Sequence, residues 1–383
     1  MTSFLDKLVE IAQEHSVDVT KNDDFQEVSA MIVDIPTPKI INMLEENGEM
    51  SFDIVDCDVS FVNALRRTML SDIPVCCIRT ENEAVNQCQI LVNQTRLHNE
   101  ILKQRLSSIP VHTSDMGLLP GKYQLVIDVS NSTDQIMLVT TEHFKLREVG
   151  SDIFMTHELS QAIFPPNHKT GDFIHFATLK PPIPFVHTHS HTRLHLVADF
   201  SVSNAKQNSM FNVVSKCSYF ANVDWDKAKT QLANQQLIWK SQLLSDADFK
   251  LRSDNFMLLD AFKIHFHNSW HFSFSSIGFY THSKLIEHTF YSLRQQFTQL
   301  LLLHHISNSH EFYDFTHANV INFAILQFNP TLFHAIIQTH PHINSISIIS
   351  QSKHHTLFIL AISTALYLCG GAMPPPQLPP PRK

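Results

Sequence analysis

Glycine is scarce in this chain, with eight residues among 383. Neither a G-x-x-x-x-G-K-[ST] phosphate loop nor a G-x-S-x-G nucleophile elbow occurs, which removes the commonest nucleotide-binding and hydrolase chemistries. Basic charge is also short: 28 Lys+Arg face 36 Asp+Glu, for a net charge of −8. The chain therefore lacks the general positive field that grips phosphates, and nucleic acid would be met only by a local patch. The six cysteines, Cys57, Cys76, Cys77, Cys88, Cys217 and Cys369, contain no C-x-x-C pair. Adjacent Cys76 and Cys77 do not bridge each other without strain, so all six are read as reduced thiols of an intracellular protein. The N-terminus, MTSFLDKLVEIAQEHSVDV, is amphipathic and acidic, without the basic start and apolar core of a secretory signal. With no export expected, the sequons Asn93-Gln-Thr95 and Asn131-Ser-Thr133 should stay unglycosylated.

Apolar residues are plentiful: 43% of the chain is hydrophobic and 17% charged, enough for two or three cores of ordinary domain size. One stretch, Thr356 to Met373, is almost wholly apolar and close to the about 20 residues of a spanning helix. It reads either as a tail anchor or as a buried helix stopping at Gly370-Gly371, and the buried reading is preferred. The proline-rich tail, residues 371–383, follows.

Residues 1–50, with an amphipathic helix over about Ser3 to Glu14, read as a leader. Phe52 and Ile54 alternate with polar residues as a strand, and a helix from Ser60 to Leu70 follows, closed by Pro74 and capped by Asp58 or Ser60. Its apolar stripe is Phe61, Val62, Leu65 and Met69; Asn63 and Arg67 project elsewhere and Arg66 borders the stripe. Residues 79–201 read as a β-rich insert, with strands at Tyr123–Val129, Gln135–Thr140 and Leu194–Phe200. Residues 223–250 are a polar helical excursion. Phe262, Ile264 and Phe266, then Phe272 and Phe274, alternate across His267-Asn268-Ser269 as a hairpin with one buried face. Ile286, Phe290, Leu293, Phe297 and Leu300 then form a heptad-like stripe that wants a partner helix as well as a sheet. A second run of strand and helix patterns begins at His304.

Asn63-Ala-Leu-Arg66-Arg67-Thr-Met-Leu70 and Ile73-Pro74, followed by Leu97-His-Asn-Glu100 through Arg105 to Ile109-Pro110-Val111, resemble the paired signatures of the alpha-like subunits of multisubunit DNA-dependent RNA polymerases. Asn204-Ala-Lys206 with Met210-Phe211 resembles the family's return from its insert, and Phe272-Ser-Phe274 through Gly278 its final strand and helix. Asp314-Phe-Thr316-His-Ala-Asn319, Asn329-Pro330 and His340-Pro341 resemble the smaller partner subunit, called L in archaea. The resemblance implies a fusion of both partners, as in polymerases of large cytoplasmic DNA viruses. The implied fold is α+β: an alpha-like dimerisation domain from 51–78 and 202–303, the insert between, and a smaller dimerisation-like module over 304–370. The implied role is a non-catalytic assembly platform. Asn63, Arg66, Arg67, Glu100 and Arg105 would face the large subunits; Phe272, Phe274 and the heptad stripe would form the dimerisation surface; Asp314, Thr316, Asn319, Pro330, His340 and Pro341 would mark the smaller-partner motif. Partners would be the largest, second-largest and small polymerase subunits, with DNA and RNA met only through the complex and no membrane. The location would be host cytoplasm and virion for a viral source, nucleus for a cellular eukaryotic one. Arginine suits such an interface, since its planar fork binds carboxylates bidentately and is weakly hydrated.

Site chemistry finds little else. Asp53, Asp56 and Asp58 look like an acidic metal site, yet no phosphate-binding loop accompanies them. His187, His189 and His191, with His195, are the best metal candidate, since alternate strand residues direct imidazoles to one side. No cofactor is expected: the alpha-like family often carries a cysteine-bound zinc or iron–sulfur centre in its insert, but here only Cys76, Cys77 and Cys88 are offered. The rival reading is a tail-anchored or metal-binding structural protein.

Overall fold

The structure, a computed structural model, describes residues 4–21, 24–31, 34–113, 115–167, 169–182, 191–242, 245–307, 311–312, 314–331, 334–338, 340–343, 346–350 and 355–371. It is an α+β chain of two compact units, the first made of Met1–Met69, Lys216–Ser275 and Ile286–Lys383, the second of Leu70–Ser215 and Ser276–Leu285.

The first unit begins with α1 (Phe4–Glu14) and α2 (Phe25–Ser29). α1 ends on Ser16 in the left-handed region (φ 63°). There the Val17 N–H donates to the Ala12 carbonyl at 3.0 Å and the Ser16 N–H to Gln13 at 2.8 Å, which satisfies carbonyls the helix end would orphan. β1 (Lys39–Glu46) and β2 (Glu49–Val55) pair antiparallel, with Glu46 opposite Glu49. Asn47 (φ 52°) and Gly48 (φ 79°) between them make the two-residue turn whose backbone twist matches a hairpin. The segment read as leader thus supplies a strand to the main sheet. Met50, Phe52 and Ile54 of β2 face the core. α3 (Val59–Ser71) follows.

In the second unit come β3 (Val75–Cys77), β4 (Cys88–Asn93), α4 (Asn99–Ser107), β5 (Tyr123–Asn131), β6 (Met137–Thr140), β7 (Lys145–Glu148), α5 (His157–Ile163), β8 (His175–Leu179), β9 (Thr192–Asp199) and β10 (Ser201–Ser203). The principal sheet runs β4-β9-β5-β7, with β6-β8 and β10-β3 as two-stranded pairs. Leu125, Ile127, Phe144, Phe176, Leu194 and Leu196 are central to its core. This unit is wider than the insert drawn at 79–201, because the strand pair β3/β10 closes it.

The first unit resumes with β11 (Val214–Val223), the polar helices α6 (Trp225–Ser241) and α7 (Asp246–Asn255), β12 (His265–Ser276) and α8 (His282–Ser307). The main sheet is ordered β1-β2-β12-β11. Here the structure corrects the sequence: His267-Asn268-Ser269 is not a turn. β12 is one continuous strand, in register with β2 from Ser269 opposite Val55 to Ser275 opposite Glu49, and Phe262 and Phe266 are exposed. The triplet contains no residue suited to a left-handed turn except Asn268, whose side chain is used on Asp56 (3.4 Å).

β13 (Glu311–Phe312), α9 (Phe315–Phe328), β14 (His334–Gln338), β15 (Ile346–Ser350) and α10 (His355–Gly371) complete the unit, with sheet order β13-β15-β14. From Thr356 to Leu366 every residue of α10 is buried. α9, α1 and α2 pack around it. Tyr367 takes the Phe4 ring edge-on at 5.2 Å, the Lys7 ammonium at 5.7 Å and a hydrogen bond with Thr37, while the Thr356 hydroxyl donates to Asp24. Buried Ser363 and Thr364 return their hydroxyls to the carbonyls of Ile359 and Leu360. Among the described residues no helix is long and apolar enough to cross a membrane.

Candidate assembly interface

The site is built on the corner between β2 and α3. β2 stops at Val55, Asp56 adopts φ 62°, and Asp58 caps the helix, its carboxylate accepting from the Ser60 N–H at 2.7 Å and the Ser60 hydroxyl at 2.5 Å. Phe61, Val62, Leu65 and Met69 are buried beneath α3. Asn63 and Arg66 are half-buried, and Arg67 is exposed. The Asn63 side-chain oxygen accepts from Arg66 Nε at 3.2 Å and Nη2 at 3.0 Å, which holds the guanidinium against its own helix. Arg66 also lies near Cys217, whose thiol burial pushes up to about 12, with Arg66 pulling the other way.

Arg67 Nη2 donates to Asp314 Oδ2 at 3.1 Å. Asp314 is itself the cap of α9, accepting from the Thr316 N–H and hydroxyl, both at 3.0 Å. Burial would raise the Asp314 carboxyl; the Thr316 donors, Arg67 and His317 outweigh it and hold it below the usual range. The two helices start alike. Asp58-Val-Ser60-Phe-Val-Asn63 caps α3 as Asp314-Phe-Thr316-His-Ala-Asn319 caps α9. This recurrence was visible in the sequence but was missed there, since the two copies are 256 positions apart in a chain without other obvious repeats.

Beneath lies the aromatic seam. Phe52 stacks on Phe272 at 5.1 Å and meets Phe274 edge-on at 6.4 Å. On α8, Ile286, Phe290, Leu293, Phe297 and Leu300 are all buried. The His317 ring of α9 sits edge-on to Phe297 at 5.4 Å and its Nε2 pairs with Gln296 at 2.7 Å. Cys369 of α10 lies near Arg294 of α8, which is 4.0 Å from Glu14 of α1. All five residues of the stripe are buried, and α9 meets it directly at Phe297.

The remaining candidates fall elsewhere. Glu100 is exposed on α4 of the second unit, while Arg105 donates to the Phe176 carbonyl of β8 at 2.7 Å, tying helix to strand. Asn319, Pro330, His340 and Pro341 are exposed. His187 and His189 lie outside the described residues, and among those described no group of three metal-ligating side chains gathers. The three aspartates are separately engaged: Asp53 with Asn42 and His271, both at 2.8 Å, Asp56 with Lys39 at 3.4 Å, and Asp58 with its helix.

Residues 51–365 match the family described as the RNA polymerase Rpb3/Rpb11 dimerisation domain. This chain belongs to that family. Three curated relatives are similar over short stretches. The Arabidopsis thaliana DNA-directed RNA polymerases IV and V subunit 3B is 37% identical over 76 residues, 20% of this chain and 21% of that protein. The Dictyostelium discoideum DNA-directed RNA polymerases I and III subunit rpac1 is 36% identical over 72 residues, 18% and 19% of the two chains. The Thermococcus kodakarensis DNA-directed RNA polymerase subunit Rpo3 is 39% identical over 64 residues, 17% and 22%. The aligned stretches span about a fifth of the length of each relative.

Proposed function

We propose that the chain is a non-catalytic assembly platform of a DNA-dependent RNA polymerase, carrying the alpha-like subunit and its smaller partner in one polypeptide. The observation that carries the reading is the Arg67–Asp314 pair, which joins two helices with the same capped start inside one chain. A dimerisation family whose two halves are covalently linked needs no second chain to cover the α8 stripe, because the linked half is present at high effective concentration. On this reading residues 304–370 are the smaller-partner module, and the arrangement is like that of large cytoplasmic DNA viruses. The outer side of α3 binds the second-largest subunit, with the largest and the small subunits joining the same platform.

The test is co-purification of the tagged full chain with the polymerase. Arg66→Ala/Arg67→Ala should leave circular dichroism unchanged and weaken capture of the second-largest subunit at least tenfold, since interface arginines at hot spots contribute about 2 kcal/mol or more, whereas Asp314→Asn, which breaks only the internal pair, should leave capture within about twofold of native. Undiminished capture would reject the interface.

A further inference from the structure

The His267-Asn268-Ser269 triplet, polar near the start of β12, has a specific employment at the corner that launches α3. Both backbone groups of Cys57, the residue before the helix cap, are tied to β12. The Cys57 N–H donates to the Asn268 carbonyl at 3.4 Å, and the Cys57 carbonyl accepts a buried hydrogen bond from the Trp270 indole Nε1 at 3.0 Å. The Asn268 side chain reaches Asp56, which holds the left-handed conformation that turns the chain (φ 62°). Trp270 is 9% exposed, stands opposite Ile54 in the register, and is braced edge-on by Tyr219 at 5.9 Å. The indole is therefore immobilised, and its single donor is aimed at a carbonyl that would otherwise be buried without a partner.

Resting on the interface reading above, we infer that Trp270 is a positioning residue for that interface: it sets the direction of α3, and through it the placement of Arg66 and Arg67, without touching the partner. Leverage makes the effect large enough to measure. Arg66 lies eight residues beyond Asp58, about 12 Å along the helix, so a tilt of about 10° at the corner moves it by about 2 Å. A displacement of that size breaks a bidentate guanidinium–carboxylate pair, whose geometry tolerates only a few tenths of an ångström.

Two variants remove the donor. Trp270→Phe keeps an aromatic ring, and Trp270→3-benzothienylalanine keeps the bicyclic volume while replacing N–H with sulfur, so folding does not decide the result. Binding of the full chain to the second-largest subunit is measured for each variant alone and combined with Arg66→Ala/Arg67→Ala. Each should weaken binding about fivefold in the native background, the scale of one lost hydrogen bond, and less than about twofold when the arginines are absent. A merely structural tryptophan would weaken binding equally in both backgrounds, and that result overturns the inference. So does native-like binding by the benzothienyl variant when the arginine change itself weakens binding, in which case the interface reading survives. If the arginine change has no effect, the interface reading fails and the inference falls with it.

Discussion

Phe297 offers a direct test of whether the C-terminal segment covers α8. Its ring is fully buried and the edge of His317 meets it at 5.4 Å, while Gln296 on the same helix pairs with His317 Nε2 at 2.7 Å. Phe297→Ala removes a fully buried aromatic side chain and should destabilise by about 3–5 kcal/mol, part of it from the cavity left behind. His317→Ala removes the hydrogen bond with Gln296, the ring contact with Phe297 and its electrostatic support of Asp314, about 1–2 kcal/mol together. The two losses overlap, because the ring contact disappears in either variant. The double variant should therefore fall short of the sum by about 0.5–1.5 kcal/mol, the range of an aromatic pair beyond its area. Urea unfolding followed by circular dichroism reads each change as a shift of midpoint at constant slope, on fractions shown to be monomeric by light scattering. Additivity within about 0.3 kcal/mol would mean that α8 and α9 do not meet, and the account of a stripe covered in cis would be refuted.

Truncation after Leu303 should expose part of the stripe and yield aggregates or dimers on size-exclusion chromatography, and Phe290→Asp in the full chain should do the same by burying an unpaired charge; a soluble monomeric truncation that still joins the polymerase would contradict this. Gly48→Ala places a Cβ at φ 79° and should cost about 1–2 kcal/mol in thermal unfolding, although nothing lies within 4 Å of the added carbon; an unchanged midpoint would mean that β1 and β2 are not joined by this turn. Asp314 is held below its unfolded pKa, so its contribution to stability is complete above about pH 4 and is lost as pH falls through the lower folded value. Asp314→Asn keeps a capping oxygen but removes the charge that meets Arg67, so it should flatten that acid limb and cost about 0.5 kcal/mol at neutral pH, measured by denaturant midpoints at pH 3 and 7; parallel pH profiles would mean that the Asp314 charge contributes nothing.

What the sequence made legible was what repeats locally. The α3 stripe lies under its helix as the spacing of Phe61, Leu65 and Met69 requires, and the α8 heptads are buried, because period alone decides which face a helix hides. The β1–β2 hairpin has its signal in Asn47-Gly48, the strongest short-range turn dipeptide, but β1 carries mostly exposed residues and so lacks the alternation that marks a strand. β12 does not show as one strand in the sequence because its polar triplet, which has the composition of a turn, bonds instead to the corner at Asp56 and Cys57. Arg67 could not be assigned its partner at all: Asp314 lies 247 positions away, and no local pattern encodes a pairing of that range.

α10 marks the limit of such reading more sharply. A helix apolar on every side has no period, so its own residues do not distinguish a membrane from a protein core. The discriminating information sits at the other end of the chain. α1 carries Leu8 and Ala12 four residues apart, both fully buried, with Lys7 and Phe4 directed at Tyr367 and Glu14 at Arg294. An amphipathic helix needs an apolar surface and an all-apolar helix needs covers, and in the folded chain α1 supplies one for α10 while α9 supplies another. The two segments complete each other's burial: the apolar side of α1 lies on α10, and α10 is buried as its preferred reading, a helix stopping at Gly370-Gly371, expects.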